Sequence, residues 1–238
     1  MALPKLTTPE YKVALPSTGE EIKYRPFLVK EEKILLIALE SGNESTINDA
    51  IVKIVHECTF GASGYQDTPI FDLEYLFLNI RSKSVGDVLE LKVTCPDDGE
   101  TEVDVKVNIE DIKVQVDTEH SNEIKLTDDI TLIMQYPTTQ VSKNITEIGD
   151  DASSTEATFK LIQACVYEII EGETVYAKID MSDSDLSEFF DSMTTSQLED
   201  VNKFFDTMPK VKSTIKVKNP KTKKNNEIVL EGLADFFV

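Results

Sequence analysis

The chain has 238 residues, with 44 Asp and Glu against 24 Lys and Arg, for a formal net charge of -20. That length can bury a core without disulfides, as one large domain or two small ones. The acidic excess argues against binding DNA through the bulk of the surface, because phosphate contacts need clustered Lys and Arg.

Residues Tyr11 to Leu15 alternate Tyr, Val and Leu with Lys and Ala, Ser17-Thr18-Gly19-Glu20 supplies a turn, and Ile22 and Tyr24 resume the alternation. The pattern predicts a β-hairpin. A helix is expected from near Val29, and its block Ile34 to Leu39 is apolar nearly all round, which predicts burial on most sides. Ser41-Gly42-Asn43 ends it. The next helix is capped around Asn43 to Ser45 and carries Ile47, Ile51, Ile54, Val55 and Cys58 at helical spacing. After the turn Gly61 to Gly64, Thr68-Pro69 reads as N-cap and first helical residue of a third helix facing inward through Leu73, Leu76, Phe77 and Ile80.

From Asp87 the period changes to two. Leu89, Leu91, Val93 and Cys95 alternate with polar residues, Pro96-Asp97-Asp98-Gly99 turns the chain, and Val103, Val105, Val107 and Ile109 alternate again. Ile112, Val114 and Val116, then Ile130, Leu132 and Met134, read as two more strands of one small antiparallel sheet over residues 88–136. Thr138 to Thr155, rich in Ser, Thr, Asn, Gly and Asp, reads as a long loop. Helix is expected beyond it, with Phe159, Ile162, Cys165, Val166 and Ile169 on one stripe and Leu198, Val201, Phe205 and Met208 on another, and the Leu186 to Met193 segment between. Ile215 and Val217 are expected to pair with Ile228 and Leu230. The expected fold is therefore α+β. A helical lobe with an N-terminal β-hairpin occupies 1–86, an inserted small antiparallel β-sheet module with its long loop 87–149, and helices with a C-terminal β-hairpin packing on the first lobe 150–238.

Few residues suggest chemistry. Cys58, Cys95 and Cys165 are far apart and odd in number, which argues for a reducing cytosol rather than a disulfide framework. Met1 to Lys5 lacks a signal-peptide pattern, and no stretch approaches the about 18 apolar residues expected of a membrane span. Cys95-Pro96-Asp97-Asp98-Gly99 has the outline of a zinc knuckle with Asp98 in place of its second cysteine, but tetrahedral zinc takes four N or S donors and no second pair exists. A plain hairpin turn is expected there. His56 and Cys58 sit two apart on a helix and face different ways, so Cys58 is expected in the core, while His120 is expected on a surface loop. No catalytic, metal or cofactor residue is expected. Residues 210–238 hold seven Lys against Glu227, Glu231 and Asp235, a local charge of +4 that leaves the first 209 residues at -24. Lys210 to Lys224 has neither Arg nor an aromatic residue to stack on bases, so a solvated hairpin is expected and no nucleic-acid partner.

Three stretches carry a family likeness: Ala2 to Leu6 with Tyr24-Arg25-Pro26-Phe27-Leu28-Val29-Lys30-Glu31-Glu32-Lys33, Arg81-Ser82-Lys83-Ser84-Val85-Gly86, and Leu230-Glu231-Gly232-Leu233-Ala234-Asp235-Phe236-Phe237. Together they resemble the baseplate hub assembly family of T-even contractile-tailed phages. The resemblance implies a non-enzymatic protein that binds other baseplate hub proteins in the cytoplasm of the infected bacterium and promotes assembly of the central hub. A stoichiometric subunit of the mature baseplate is the alternative, and an intracellular enzyme or degenerate zinc module the outsider. Apolar groups are then expected to hold partners, with Phe189 and Phe204 from two aromatic pairs and Leu233, Phe236 and Phe237 from the chain end, which either folds back onto the core or inserts into a partner.

Overall fold

The computed structural model describes residues 6–63, 67–147 and 154–236. Strands β1 (Tyr11–Ala14) and β2 (Glu21–Tyr24) form the first hairpin, in register from Tyr11 opposite Tyr24 to Ala14 opposite Glu21. Helix α1 (Val29–Ser41) stops at Gly42, whose φ of +62° is the left-handed conformation that a side chain would resist. Asn43 then caps α2 (Glu44–Cys58), its Oδ1 accepting from the Thr46 N–H at 3.0 Å. Helix α3 (Ile70–Val85) starts one residue later than the sequence predicts, with Pro69 in the capping position and no side-chain cap. Its predicted stripe is buried, Leu76, Phe77 and Ile80 completely.

Strands β3 (Val88–Thr94) and β4 (Glu102–Asn108) pair in the predicted hairpin, with Leu89, Leu91 and Val107 buried. The single sheet expected over 88–136 is divided instead. Strand β5 (Lys113–Gln115) pairs with β10 (Lys210–Lys218), which also pairs with β11 (Asn225–Glu231), giving the order β11-β10-β5. Strands β6 (Glu123–Lys125) and β7 (Ile130–Met134) join β8 (Val166–Glu171) and β9 (Thr174–Ala177) in the order β6-β7-β8-β9. Alternation assigns faces to a strand but not neighbours, so the pattern could not separate these sheets.

Two further expectations are corrected. The Ser- and Thr-rich stretch read as a loop contains helix α4 (Thr139–Glu147), and helix α5 (Ser154–Ala164) ends before Cys165, so Val166 and Ile169 lie on β8. Helices α6 (Asp183–Asp191) and α7 (Thr195–Thr207) follow, each opened by a capping box, Ser182 with Asp185 and Thr194 with Gln197.

The chain forms two compact units, residues 1–115 with 210–238 and residues 116–209. This grouping differs from the three consecutive segments expected with breaks after 86 and 149, because β5 pairs with β10 across the intervening chain. The second unit leaves and rejoins the first at Gln115 and Lys210, which are register partners. Within the first unit α1 packs on α2, α2 on α3, and α3 on β5 and β10. The second has its own core of Ile124, Leu132, Met134, Ile162, Leu186, Val201 and Phe204, among others.

Candidate partner-binding surfaces

The Tyr24 to Lys33 stretch is built around one buried ion pair. Arg25 Nη2 lies 2.9 Å from Glu31 Oε1, and the guanidinium also donates to the carbonyls of Pro26 (3.0 Å) and Glu57 (3.3 Å). The Arg25 N–H reaches the Cys58 carbonyl at 3.0 Å, while Glu31 Oε2 accepts from the Leu28 N–H at 2.8 Å. Burial alone would lower Arg25 and raise Glu31, but their hydrogen bond, with those from Leu28 and Lys30 to Glu31, turns both shifts round and holds both groups charged. The stretch thereby ties β2, the start of α1 and the end of α2 together.

With that side of α1 fixed, its other side faces solvent. Val29 is 79% exposed, Leu36 53% and Ile37 56%, with Leu28 also exposed. The block expected to be buried nearly all round therefore buries only Leu35 and Ala38. Its length suggested a core helix, but one helix in contact with α2 along one side leaves its other side free.

The end of the described chain folds back. Leu233 and Phe236 are buried, with Phe236 1% exposed. The Leu233 N–H donates to Glu74 Oε1 at 3.1 Å, Asp235 accepts from the Glu231 N–H at 2.8 Å, and Lys210 and Lys212 each reach Glu231 at 2.9 Å. Burial pushes Glu74 up to about 7, against the pull of the Leu233 N–H. Gly232 is at φ +71° and a Cβ there would meet Glu74 Oε1 at 3.2 Å, so the close approach suits glycine. Phe237 lies outside the described residues.

The Cys95 turn is a clasp between hairpins. Asp97 Oδ1 accepts from Asn219 and Asn226 Nδ2, both at 2.9 Å, and its other oxygen from the Thr222 hydroxyl. Asp98 accepts from the Thr101 hydroxyl at 2.6 Å and from the Thr101 N–H at 3.0 Å, and Lys221 Nζ lies 3.2 Å from Glu100. Both carboxylates are held below the usual range by these donors, first Thr222 for Asp97 and Thr101 for Asp98. Among the described residues no group of His, Cys, Asp and Glu is placed to hold a metal ion.

In the second unit Phe204 is 2% exposed and stacks with Tyr136 at 5.7 Å, while Phe189 is partly buried and meets Phe190 edge-on at 5.9 Å. His120, expected on a surface loop, is partly buried against Phe204, Tyr136 and Thr207: Nδ1 lies 2.9 Å from Thr207 Oγ1 and Nε2 3.1 Å from the Tyr136 hydroxyl. Thr207 donates its own proton to the Lys203 carbonyl at 2.6 Å, which assigns the proton of a neutral ring to Nδ1. Burial pushes the His120 pKa down, in keeping with a neutral ring. Of the residues expected to bind partners, Phe189 and Phe204 belong to one unit and Leu233 and Phe236 to the other. Sequence reasoning missed the Arg25–Glu31 pair and the open side of α1.

Charge is segregated as well. Residues 116–209 hold 20 Asp and Glu against five Lys and no Arg, a net -15 of the chain's -20, which leaves -5 for the first unit. No helix among the described residues is long and apolar enough to cross a membrane. Comparison with curated proteins and with solved structures found no match. The family model described as T4 bacteriophage base plate protein matches residues 8–238. The match spans nearly the whole sequence and both units, and the chain accordingly belongs to the T4 bacteriophage base plate protein family.

Proposed function

We propose that the chain is a non-enzymatic assembly protein of the baseplate's central hub, which binds other hub proteins and promotes their association in the infected bacterium. The observation that carries this reading is the base plate family match across residues 8–238. The chemistry of the carboxylates supports the non-enzymatic part, since Glu31, Glu74 and Asp97 are each committed to a structural donor. The open apolar side of α1 offers contact area to a partner, and the acidic second unit steers basic partners and repels its own kind.

Co-expression with each other hub protein of the same phage, followed by affinity capture and light scattering, is the test. A defined soluble complex is expected, together with absence of the chain from purified mature baseplates by mass spectrometry. Stoichiometric retention there would instead identify a structural subunit, and failure to hold any hub protein would remove the hub assignment.

A further inference from the structure

Strand β9 is an edge of the second unit's sheet, and its outer side meets no strand among the described residues. It follows β8 through the two-residue turn Gly172-Glu173, with Gly172 at φ +58°, so Glu171 and Thr174 form the hydrogen-bonded pair beside the turn. Alternation along an antiparallel ladder then directs the N–H and C=O of Val175 and the N–H of Ala177 away from β8. The side chains there are open: Val175 is 55% exposed, and Ile179, just past the strand, 91%.

Other sheet edges are guarded by charge, which disfavours pairing. Strand β6 carries Glu123 and Lys125, β4 carries Glu102, Asp104 and Lys106, and β11 carries Glu227 and Glu231. Strand β9, Thr174-Val175-Tyr176-Ala177, carries none. The charge lies instead around it, in Glu168, Glu171, Glu173, Asp180 and Asp183. Lys178, the one cation in that stretch, is partly buried and donates to the Gln163 carbonyl at 2.8 Å.

We propose that the outer edge of β9 is a docking site for an extended segment of another baseplate subunit, which adds to the sheet as a fifth strand and carries Lys or Arg flanking uncharged β-forming residues. The unpaired backbone groups select an extended chain, and the acidic surround selects basic flanks. Two copies pairing through β9 would bring like-charged flanks together, which disfavours self-association at this edge. The proposal rests on the assembly reading given above and names where and how a partner is held.

The test uses the full chain and a fluorescent blocked peptide, Lys-Lys-Val-Thr-Val-Thr-Val-Lys-Lys, read by anisotropy. Its twins are N-methylated at alternate residues, one twin for each peptide edge, so that the charge is unchanged but the backbone donors of one edge are lost. Binding is expected for the parent peptide and weakened about tenfold or more in at least one twin. Val175→Pro removes an outward donor without breaking a bond to β8 and is expected to weaken binding similarly. Val175→Lys, which keeps the backbone and restores a charged edge, gives the same reading if the proline variant does not fold. Equal binding of the parent and both twins, unaltered binding by the Val175 variants, no binding of the parent, or self-association in place of binding would each overturn the proposal. Co-expression with hub proteins separates the two readings: capture by both wild type and Val175→Lys keeps the assembly role and removes the edge site, whereas capture by neither removes the assembly role itself.

Discussion

At the scale of single residues, Glu74 shows how the fold sets the chemistry of a carboxyl. Its pKa rises from 4.5 to about 7, so the folded state holds the proton more tightly than the unfolded state does. Stability from this group is therefore fully present below the unfolded value of 4.5 and is lost as pH rises through about 7. Glu74→Gln keeps an oxygen for the Leu233 N–H but cannot ionise. In urea unfolding the two proteins are expected to be nearly equal at about pH 4, while at about pH 8 the variant is expected to be more stable by on the order of 2 kcal/mol. A gap of the same size at both pH values would show that packing, not ionisation, separates them. His120 has the opposite direction: its lowered pKa favours the neutral ring, so this contribution is lost on acidification.

At the scale of elements, the Arg25–Glu31 pair explains why the charge-rich Tyr24 to Lys33 stretch is a structural device. Arg25→Met is expected to leave the Glu31 carboxylate buried without its main partner and to cost about 3 kcal/mol, whereas Arg25→Met with Glu31→Leu removes both charges and should recover most of that loss. Urea denaturation of the wild type, the single variant and the pair gives the comparison, and a single-variant loss near zero would show that the ion pair is dispensable. Elements with strong local signals were legible in the sequence. The hairpins β1–β2, β3–β4 and β10–β11 follow period-two alternation, and the α2 stripe follows helical spacing. What depended on distant chain was hidden: the pairing of β5 with β10, the exposure of Leu36 and Ile37, and the surroundings of Glu74. Val166 and Ile169 were misassigned because a three-residue spacing also fits an irregular strand, and the ladder shifts register beside Met134, opposite Val166. The resemblance pointed to the baseplate, while the candidate site residues drawn from aromatic and terminal apolar groups belong to two different units, a division that aromatic and apolar content alone does not reveal.

At the scale of the whole molecule, the second unit is a cassette. Because Gln115 and Lys210 are register partners, joining them through Asn-Gly in place of residues 116–209 should convert β5 and β10 into an ordinary hairpin. The shortened protein is expected to unfold cooperatively, with a near-native circular dichroism spectrum for its elements, and its net negative charge should shrink from -20 to -5. Failure to fold would show that the first unit needs the insert. The junction also bears on how the chain folds. Pairing β5 with β10 requires closing a loop of 94 residues, and in an unstructured chain that closure carries an entropic penalty growing with the logarithm of loop length. A second unit that folds first holds its own ends near each other and shortens the effective loop. The β11-β10-β5 sheet of the first unit is then expected to be a late event, one whose rate is governed by residues in a different unit.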